Sequence, residues 1–313
     1  MGAGHIHGAH PHAHAAGRAE DRRRLKIVLV VTASMIVVQV VGFVLSGSLA
    51  LLADAGHMVT DVAAVGLALS ASYVAMLPPS SRRTYGFHRA EILAALVNAV
   101  ILLVVCGFLI WSGVRRLVEP VAIEGDLMLG FATVGLIANA VSLTILARRK
   151  DTSLNMRGAY LEVLSDLLGS VAVVVAAVAV LTTGFLRADS IATLLIAALI
   201  LPRSFGLLRD AVDVLLEASP RHVDLDDVRA HLLEVPGVVD VHDLHAWTIT
   251  SGMPVLSVHV TVTDACLAER GVGPLLDEFS ACVAGHFDVE HATFQIEPES
   301  HREHEDLGAV RHD

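Results

Sequence analysis

The sequence predicts a membrane-embedded, all-α bundle of six transmembrane helices, followed by a small α+β domain. Three observations carry that prediction. Of the 313 residues, 54% are hydrophobic, and they gather in uninterrupted runs that a soluble protein of this size rarely holds. Basic residues collect in alternate connections between those runs. From Pro220 onward the composition turns polar and acidic, with the short alternation of a sheet.

The apolar runs fit helices near 25–47, 49–77, 89–117, 127–147, 159–183 and 189–214. Within the first, Ile27–Leu45 is 19 residues long without a charge, enough to cross hydrocarbon. It lacks a small-residue cleavage site, which reads as an anchor and not a removed signal peptide. Pro202 and Arg203 interrupt the sixth run, predicting either a kink or an amphipathic cytoplasmic extension. The first, third and fifth connections, counting the chain before the first helix, and the stretch after the sixth apolar run hold 14 Lys and Arg; the intervening loops hold 3. The positive-inside rule then puts both termini in the cytoplasm.

The C-terminal part reads as a helix at Asp224–Val235, strands at Val238–Thr250 and Met253–Thr263, a helix at Ala268–Phe287 and a strand at His291–Glu297. Ser251-Gly252 supplies a hairpin turn. An αββαβ order suggests a sandwich with both helices on one face of the sheet. The expected division is a disordered His-rich tail (1–24), a transmembrane domain (25–216), a cytoplasmic α+β domain (217–298) and a disordered tail (299–313). Residues 217–313 carry 5 basic against 19 acidic residues. That balance repels nucleic acid and attracts small cations, or simply keeps the domain soluble. Cys106, Cys266 and Cys282 are far apart and form no disulfide or thiolate-metal pattern.

Two helical turns place ionisable groups where a membrane segment should be oily. One is His57-Met58-Val59-Thr60-Asp61; the other is Glu162-Val163-Leu164-Ser165-Asp166. Four-residue spacing sets the two side chains about 40° apart around the axis and about 6 Å apart along it. Each pair is a claw on one helix face. If the second and fifth helices pack together, His57, Asp61, Glu162 and Asp166 close a four-ligand cage of one nitrogen and three carboxylates, suited to a divalent cation. Three carboxylates over-charge an empty cage, so protons occupy it and a dication displaces them. That competition is what a metal/proton antiporter requires. Asp54 shares the face of His57 and Asp61, and either lines the ion path or caps a helix end. Asn98, Asn139 and Gln39 are placed for interhelical hydrogen bonds.

At these segments the chain resembles the cation diffusion facilitator family of zinc and divalent-cation transporters, in its zinc-efflux branch. The matching text is Ser48-Leu-Ala-Leu-Leu-Ala-Asp-Ala-Gly-His-Met-Val-Thr-Asp61, Arg83-Thr-Tyr-Gly-Phe-His-Arg-Ala-Glu-Ile-Leu-Ala-Ala-Leu96, Arg157-Gly-Ala-Tyr-Leu-Glu-Val-Leu-Ser-Asp166 and Val241-His-Asp-Leu-His-Ala-Trp-Thr-Ile-Thr-Ser-Gly252. The resemblance implies six transmembrane helices, a ferredoxin-like cytoplasmic domain, a homodimer, and export of divalent cations against protons. One position departs: Glu162 stands where zinc members usually carry a second histidine. A harder site shifts preference from zinc toward manganese, ferrous iron, cobalt or cadmium, with zinc kept first.

The resemblance also implies a regulatory metal site at His242, His259 and Glu297, with Gln295 in place of a histidine used by some members. Strand parity puts His259 on a polar face, and His291, Gln295 and Glu297 on one face of the last strand. His242 and His245 have opposite parity, so a regular strand cannot aim both at one site. The alternative is exposed histidines on a hydrated sheet. His5, His7, His10, His12 and His14 form a loose metal-handling tail, as do His301, His304 and His312. Arg89 and Glu91 are expected in ion pairs at the membrane edge, with His88 a weaker metal candidate.

The expected function is a secondary active exporter of zinc, or of Cd2+, Co2+, Mn2+ or Fe2+, exchanged for protons by alternating access. It works as a homodimer among the lipids of a bacterial inner membrane, needs no organic cofactor, binds no nucleic acid and is not an enzyme. A membrane metal sensor and a membrane metallohydrolase are the rival readings. The first treats the claws as structural; the second needs an open coordination position and a general base that the sequence does not supply.

Overall fold

The structure is a computed structural model; it describes residues 11–147, 154–250, 252–287, 289 and 291–304. Six long helices come first: α1 (Pro11–Ser46), α2 (Leu49–Ala75), α3 (Ala90–Val118), α4 (Gly125–Ala147), α5 (Leu154–Thr183) and α6 (Arg187–Leu215). All six contain a stretch long and apolar enough to cross a membrane. They are followed by α7 (Leu225–Leu233), β1 (Val238–Thr248), β2 (Pro254–Val262), α8 (Asp264–Arg270), α9 (Val272–His286), β3 (His291–Pro298) and a 3₁₀ turn at Glu299–His304.

The structure departs from the sequence reading at the start of the first helix, in the helix expected at Ala268–Phe287, and at Glu299–His304, a 3₁₀ turn where a disordered tail was expected. The first helix begins at Pro11, inside the stretch expected to be a disordered tail. Ala13, Ala15, Ala16 and Ala19, together with Arg and Glu side chains, give that stretch high intrinsic helix propensity. His5, His7 and His10 lie outside the described residues, as does His312. The sixth helix, read near 189–214, spans Arg187–Leu215 with Pro202 inside it, because one lost backbone donor does not end a helix held on both sides. The expected helix at Ala268–Phe287 is two helices, α8 and α9, parted at Gly271, whose φ of +76° suits glycine. Ser251 of the expected hairpin lies outside the described residues, but Met253 N donates to Thr250 O across that turn at 3.0 Å.

The described residues divide into two compact units. The first comprises the described part of Met1–Leu67 with Val97–Leu207; the second comprises Ala68–Leu96 with the described part of Leu208–Asp313.

In the first unit α4 packs along α5 and α1. Small residues permit that approach: a β-carbon at Gly42 would come within 2.7 Å of Phe131, and one at Gly135 within 2.5 Å of Gln39 Nε2. Polarity is inverted relative to a soluble protein. Val44, Leu69, Val104 and Trp111 are more than 60% exposed, while Gln39, Asp54, His57, Asn139, Asp166 and Asp189 are buried. Apolar side chains therefore face outward and polar ones inward, as a bilayer demands. Asn139 Nδ2 donates to Ser170 Oγ at 3.0 Å, joining α4 to α5.

One buried acid anchors the start of α2. Asp189, wholly inaccessible, accepts from Ser48 Oγ at 2.5 Å, Leu49 N at 2.8 Å and Ala50 N at 3.1 Å. It thus satisfies the first free N–H groups of α2 from the N-terminal turn of α6. Arg116 Nη1 lies 3.9 Å from the same carboxylate and donates to Gly47 O at 2.7 Å.

In the second unit the sheet order is β1-β2-β3, with β1–β2 antiparallel and β2–β3 parallel. Leu256, Val258, Val260 and Val262 of β2 face a core made by Val228 and Leu232 of α7 and Leu275, Phe279 and Val283 of α9. Both helices therefore cover one sheet face, leaving the other to His259, Ser257 and their neighbours. Asp224 caps α7 by accepting from Asp226 N and Asp227 N. At the start of α3, Arg89 pairs with Glu217 at 2.8 Å and Glu91 accepts from Thr250 Oγ1 at 2.8 Å.

Candidate metal centres

The first centre is built by α2 and α5. Asp54, His57 and Asp61 share a face of α2 at intervals of three and four residues, and Asp166 faces them from α5. His57 Nδ1 lies 3.4 Å from Asp61 Oδ2, and His57 Nε2 lies 3.4 Å from Asp166 Oδ1. One ligand atom from each of these three residues falls within 4.8 Å of the others. The imidazole thus sits between two carboxylates drawn from different helices. His57 Nδ1 and Asp166 Oδ1 are buried and form no hydrogen bond among the described residues. Buried polar atoms in that condition are costly, and an ordered water or a bound ion satisfies them.

Asp54 Oδ2 accepts from Gln39 Nε2 at 2.7 Å. Asp54 is therefore not a helix cap: α2 has already begun at Leu49, and Asp189 does the capping. Instead it lines a small cavity of about 40 Å³ with His57, Asp166 and Arg203, large enough for an ion or one water.

Glu162, expected as the fourth ligand, stands at the edge of the cluster: it is in hydrogen-bond reach of Asp61 but outside the group formed by His57, Asp61 and Asp166. Both of its oxygens accept from Arg203, Oε1 from Nη1 and Oε2 from Nη2, each at 2.9 Å. The Glu162 side chain is 30% exposed, against 9% for His57 and 5% for Asp166. The sequence reading missed this partner because it took Arg203 as an interruption of the sixth helix. The available signal was an arginine inside an apolar helix, which needs an acid nearby.

The second centre is built on the sheet. His242 pairs with His259 across β1 and β2, and Glu297 of β3 sits beside Thr261. Glu297 Oε1 lies 2.9 Å from His259 Nδ1, and Oε2 lies 3.4 Å from His242 Nε2. The two imidazole centroids are 5.3 Å apart. His242 and Glu297 are buried, each 4% exposed. All three residues named from the sequence meet; beside these two buried members, the His259 side chain is 26% exposed. Gln295 Nε2 donates to Glu297 Oε1 at 2.6 Å, holding that carboxylate in place.

Asp243 is an addition: with His242 and His259 it offers a third ligand atom within 4.8 Å. It stands at an irregularity where the pairing moves from His242↔His259 to His245↔Ser257. Three steps along β1 match two along β2, a bulge, and Asp243 takes φ of +45° to make it. That extra residue corrects the parity expectation, because it returns His245 to the face of His242. His245 then lines, with Arg82, Arg83, His88, Arg89 and Trp247, a cavity of about 900 Å³. Among the described residues His88 joins no ligand cluster. Cys282 stands apart from both centres, its thiol pushed up by burial and by Glu234 and Glu278.

Comparison with known proteins agrees with this architecture. The cation efflux transmembrane domain model matches residues 25–216, and that of the cation efflux protein cytoplasmic domain matches residues 220–299. The cation efflux system protein CzcD of Alcaligenes sp. strain CT14 is 42% identical over 297 residues, covering 95% of this chain and 90% of that protein. The zinc transporter ZitB of Escherichia coli K12 is 40% identical, with 92% of each chain covered. A cadmium, cobalt and zinc/H(+)-K(+) antiporter of Bacillus velezensis is 34% identical, with 93% of each covered. With six membrane-spanning helices, both domains matched and relatives this similar, the chain belongs to the cation efflux family of integral membrane transporters, the cation diffusion facilitators.

Proposed function

We propose that this protein exports a divalent cation from the cytoplasm in exchange for protons, with zinc as its first substrate. The observation that carries the reading is the meeting of His57, Asp61 and Asp166 from two membrane helices. One borderline nitrogen and two hard oxygens in a buried, hydrogen-bond-poor pocket suit a borderline dication such as Zn2+. Glu162, one turn before Asp166, completes the four-ligand set when its carboxylate turns inward. Such a site is bistable in composition: a dication or protons neutralise it, and neither leaves without the other arriving. Opening toward the cytoplasm loads metal; opening outward lets protons replace it.

Both termini lie in the cytoplasm on this reading, and the membrane is the bacterial inner membrane. The chain works as a homodimer through its C-terminal domain. His242, His259 and Glu297, with Asp243, form a second metal site that reports cytoplasmic metal. The names of CzcD, ZitB and the Bacillus antiporter support the metal class and, in the last case, proton coupling.

The test is metal-by-metal uptake into proteoliposomes with an acid lumen. Zinc should accumulate against its gradient and stop when a protonophore collapses the pH difference. Accumulation indifferent to the proton gradient would remove the antiport step, and failure to move any dication would favour a sensor.

A further inference from the structure

We propose that Arg203 is a built-in counter-cation of the transmembrane site: it engages Glu162 at the edge of the cluster, beside Asp61, and thereby limits how tightly, and how selectively, the ion is bound. The inference rests on the reading of His57, Asp61 and Asp166 as ligands. Arg203 engages both oxygens of Glu162 at 2.9 Å, the fork-to-fork geometry that makes arginine–carboxylate pairs strong and directional. It also lines the cavity that His57, Asp54 and Asp166 line. A positive charge therefore stands at the edge of the cavity beside the cluster.

The charge count explains why such a group is useful. Asp61, Glu162 and Asp166 carry three negative charges when ionised, and Asp54, which accepts from Gln39 in the same cavity, can add a fourth. A dication offsets two of them, and Arg203 offsets one more. Without Arg203, the loaded site would keep one more excess negative charge and release its ion more reluctantly. A transporter needs binding weak enough to let go, so a counter-cation serves turnover more than affinity.

Selectivity follows from the same pair. While Arg203 holds Glu162, the ligand set is one imidazole and two carboxylates. Freed, Glu162 adds another hard oxygen, since it lies one helical turn from Asp166 and needs only a side-chain rotation to turn inward. More oxygen in the set favours manganese relative to zinc. Arg203 is thus a specificity-determining residue that acts through Glu162.

Equilibrium binding decides this, measured on the full-length protein in lipid nanodiscs by competing Zn2+ or Mn2+ against a chromophoric chelator. Arg203→Gln should tighten zinc binding about tenfold and manganese binding by more, narrowing the ratio between them. In a Glu162→Gln background the same substitution should leave that ratio unmoved. Arg203→Lys, which keeps the charge and loses the fork, should fall between wild type and Arg203→Gln. Unchanged affinities in Arg203→Gln, or equal changes with and without the Glu162 carboxylate, would overturn the proposal and make the pair a helix clip. Asp166→Asn serves as the separate control. If it bound metal like wild type, the site reading would fall first and the counter-cation role with it.

Discussion

The two His–carboxylate clusters solve the same chemical problem with opposite architectures. In the membrane, α2 contributes His57 and Asp61 at four-residue spacing, and α5 contributes Asp166 opposite them. On the sheet, three strands contribute one or two residues each, and a bulge at Asp243 adjusts the aim. The intramembrane imidazole sits between two acids with an open cavity beside it. The sheet acid sits between two imidazoles, with Gln295 fixing its position. On the proposed reading the membrane cluster loads and releases its ion, which needs slack and a competing cation, and Arg203 beside Glu162 supplies one. The sheet cluster, proposed to hold its ion, has a carboxylate already locked by its neighbours.

The largest expected effect separates them. Asp166→Asn should lower proteoliposome zinc uptake by roughly 100-fold or more, because it removes the α5 half of the membrane cluster. Uptake within a few-fold of wild type would break the comparison at once. Next comes the anchor that only the membrane site needs. Asp189→Asn leaves the free N–H groups of α2 with a poorer acceptor, and should cost about 1–3 kcal/mol of stability, read as a lower thermal midpoint. A midpoint equal to wild type would show that α2 is held without it.

Smaller effects probe the sheet. His259→Ala should weaken metal binding to the C-terminal domain about tenfold while transport at saturating metal persists. Loss of transport comparable to Asp166→Asn would mean the two clusters share one task. Glu162→His should sharpen zinc over manganese several-fold in competition, by restoring a softer donor in place of an oxygen. Unchanged competition would exclude Glu162 from the ligand set. The smallest effect belongs to the tail. Removing Met1–Ala16 should change uptake less than about twofold at saturating metal, with a larger change in rate near threshold. A reordered metal preference would contradict a merely assisting role.

What could be read from the chain divides along the same line. Local periodicity reveals helices and the face a residue takes on each, so six apolar runs and the spacing of His57 with Asp61 were legible. That α2 meets α5 entered only as a condition, and His57 opposite Asp166 is where they meet. The partner of Glu162 was not legible, because Arg203 is 41 residues away and only packing brings it near. Asp189 looked like an ordinary loop acid for the same reason: its three donors lie about 140 residues earlier. On the sheet, parity alone misled. One extra residue at Asp243 reverses the facing of everything beyond it, and no propensity marks an aspartate that will take positive φ. Helix starts were also blurred, since alanine-rich tails carry helical propensity without any core to bury.

The most direct measurement counts both ions at once: zinc entering and protons leaving acid-loaded proteoliposomes, for wild type and Asp61→Ala, across external pH. Coupled fluxes in the wild type, and the loss of both together in Asp61→Ala at every pH, are the expected result. Zinc entry without proton exit, or an Asp61→Ala protein that carries both as before, would contradict a shared site where the two compete.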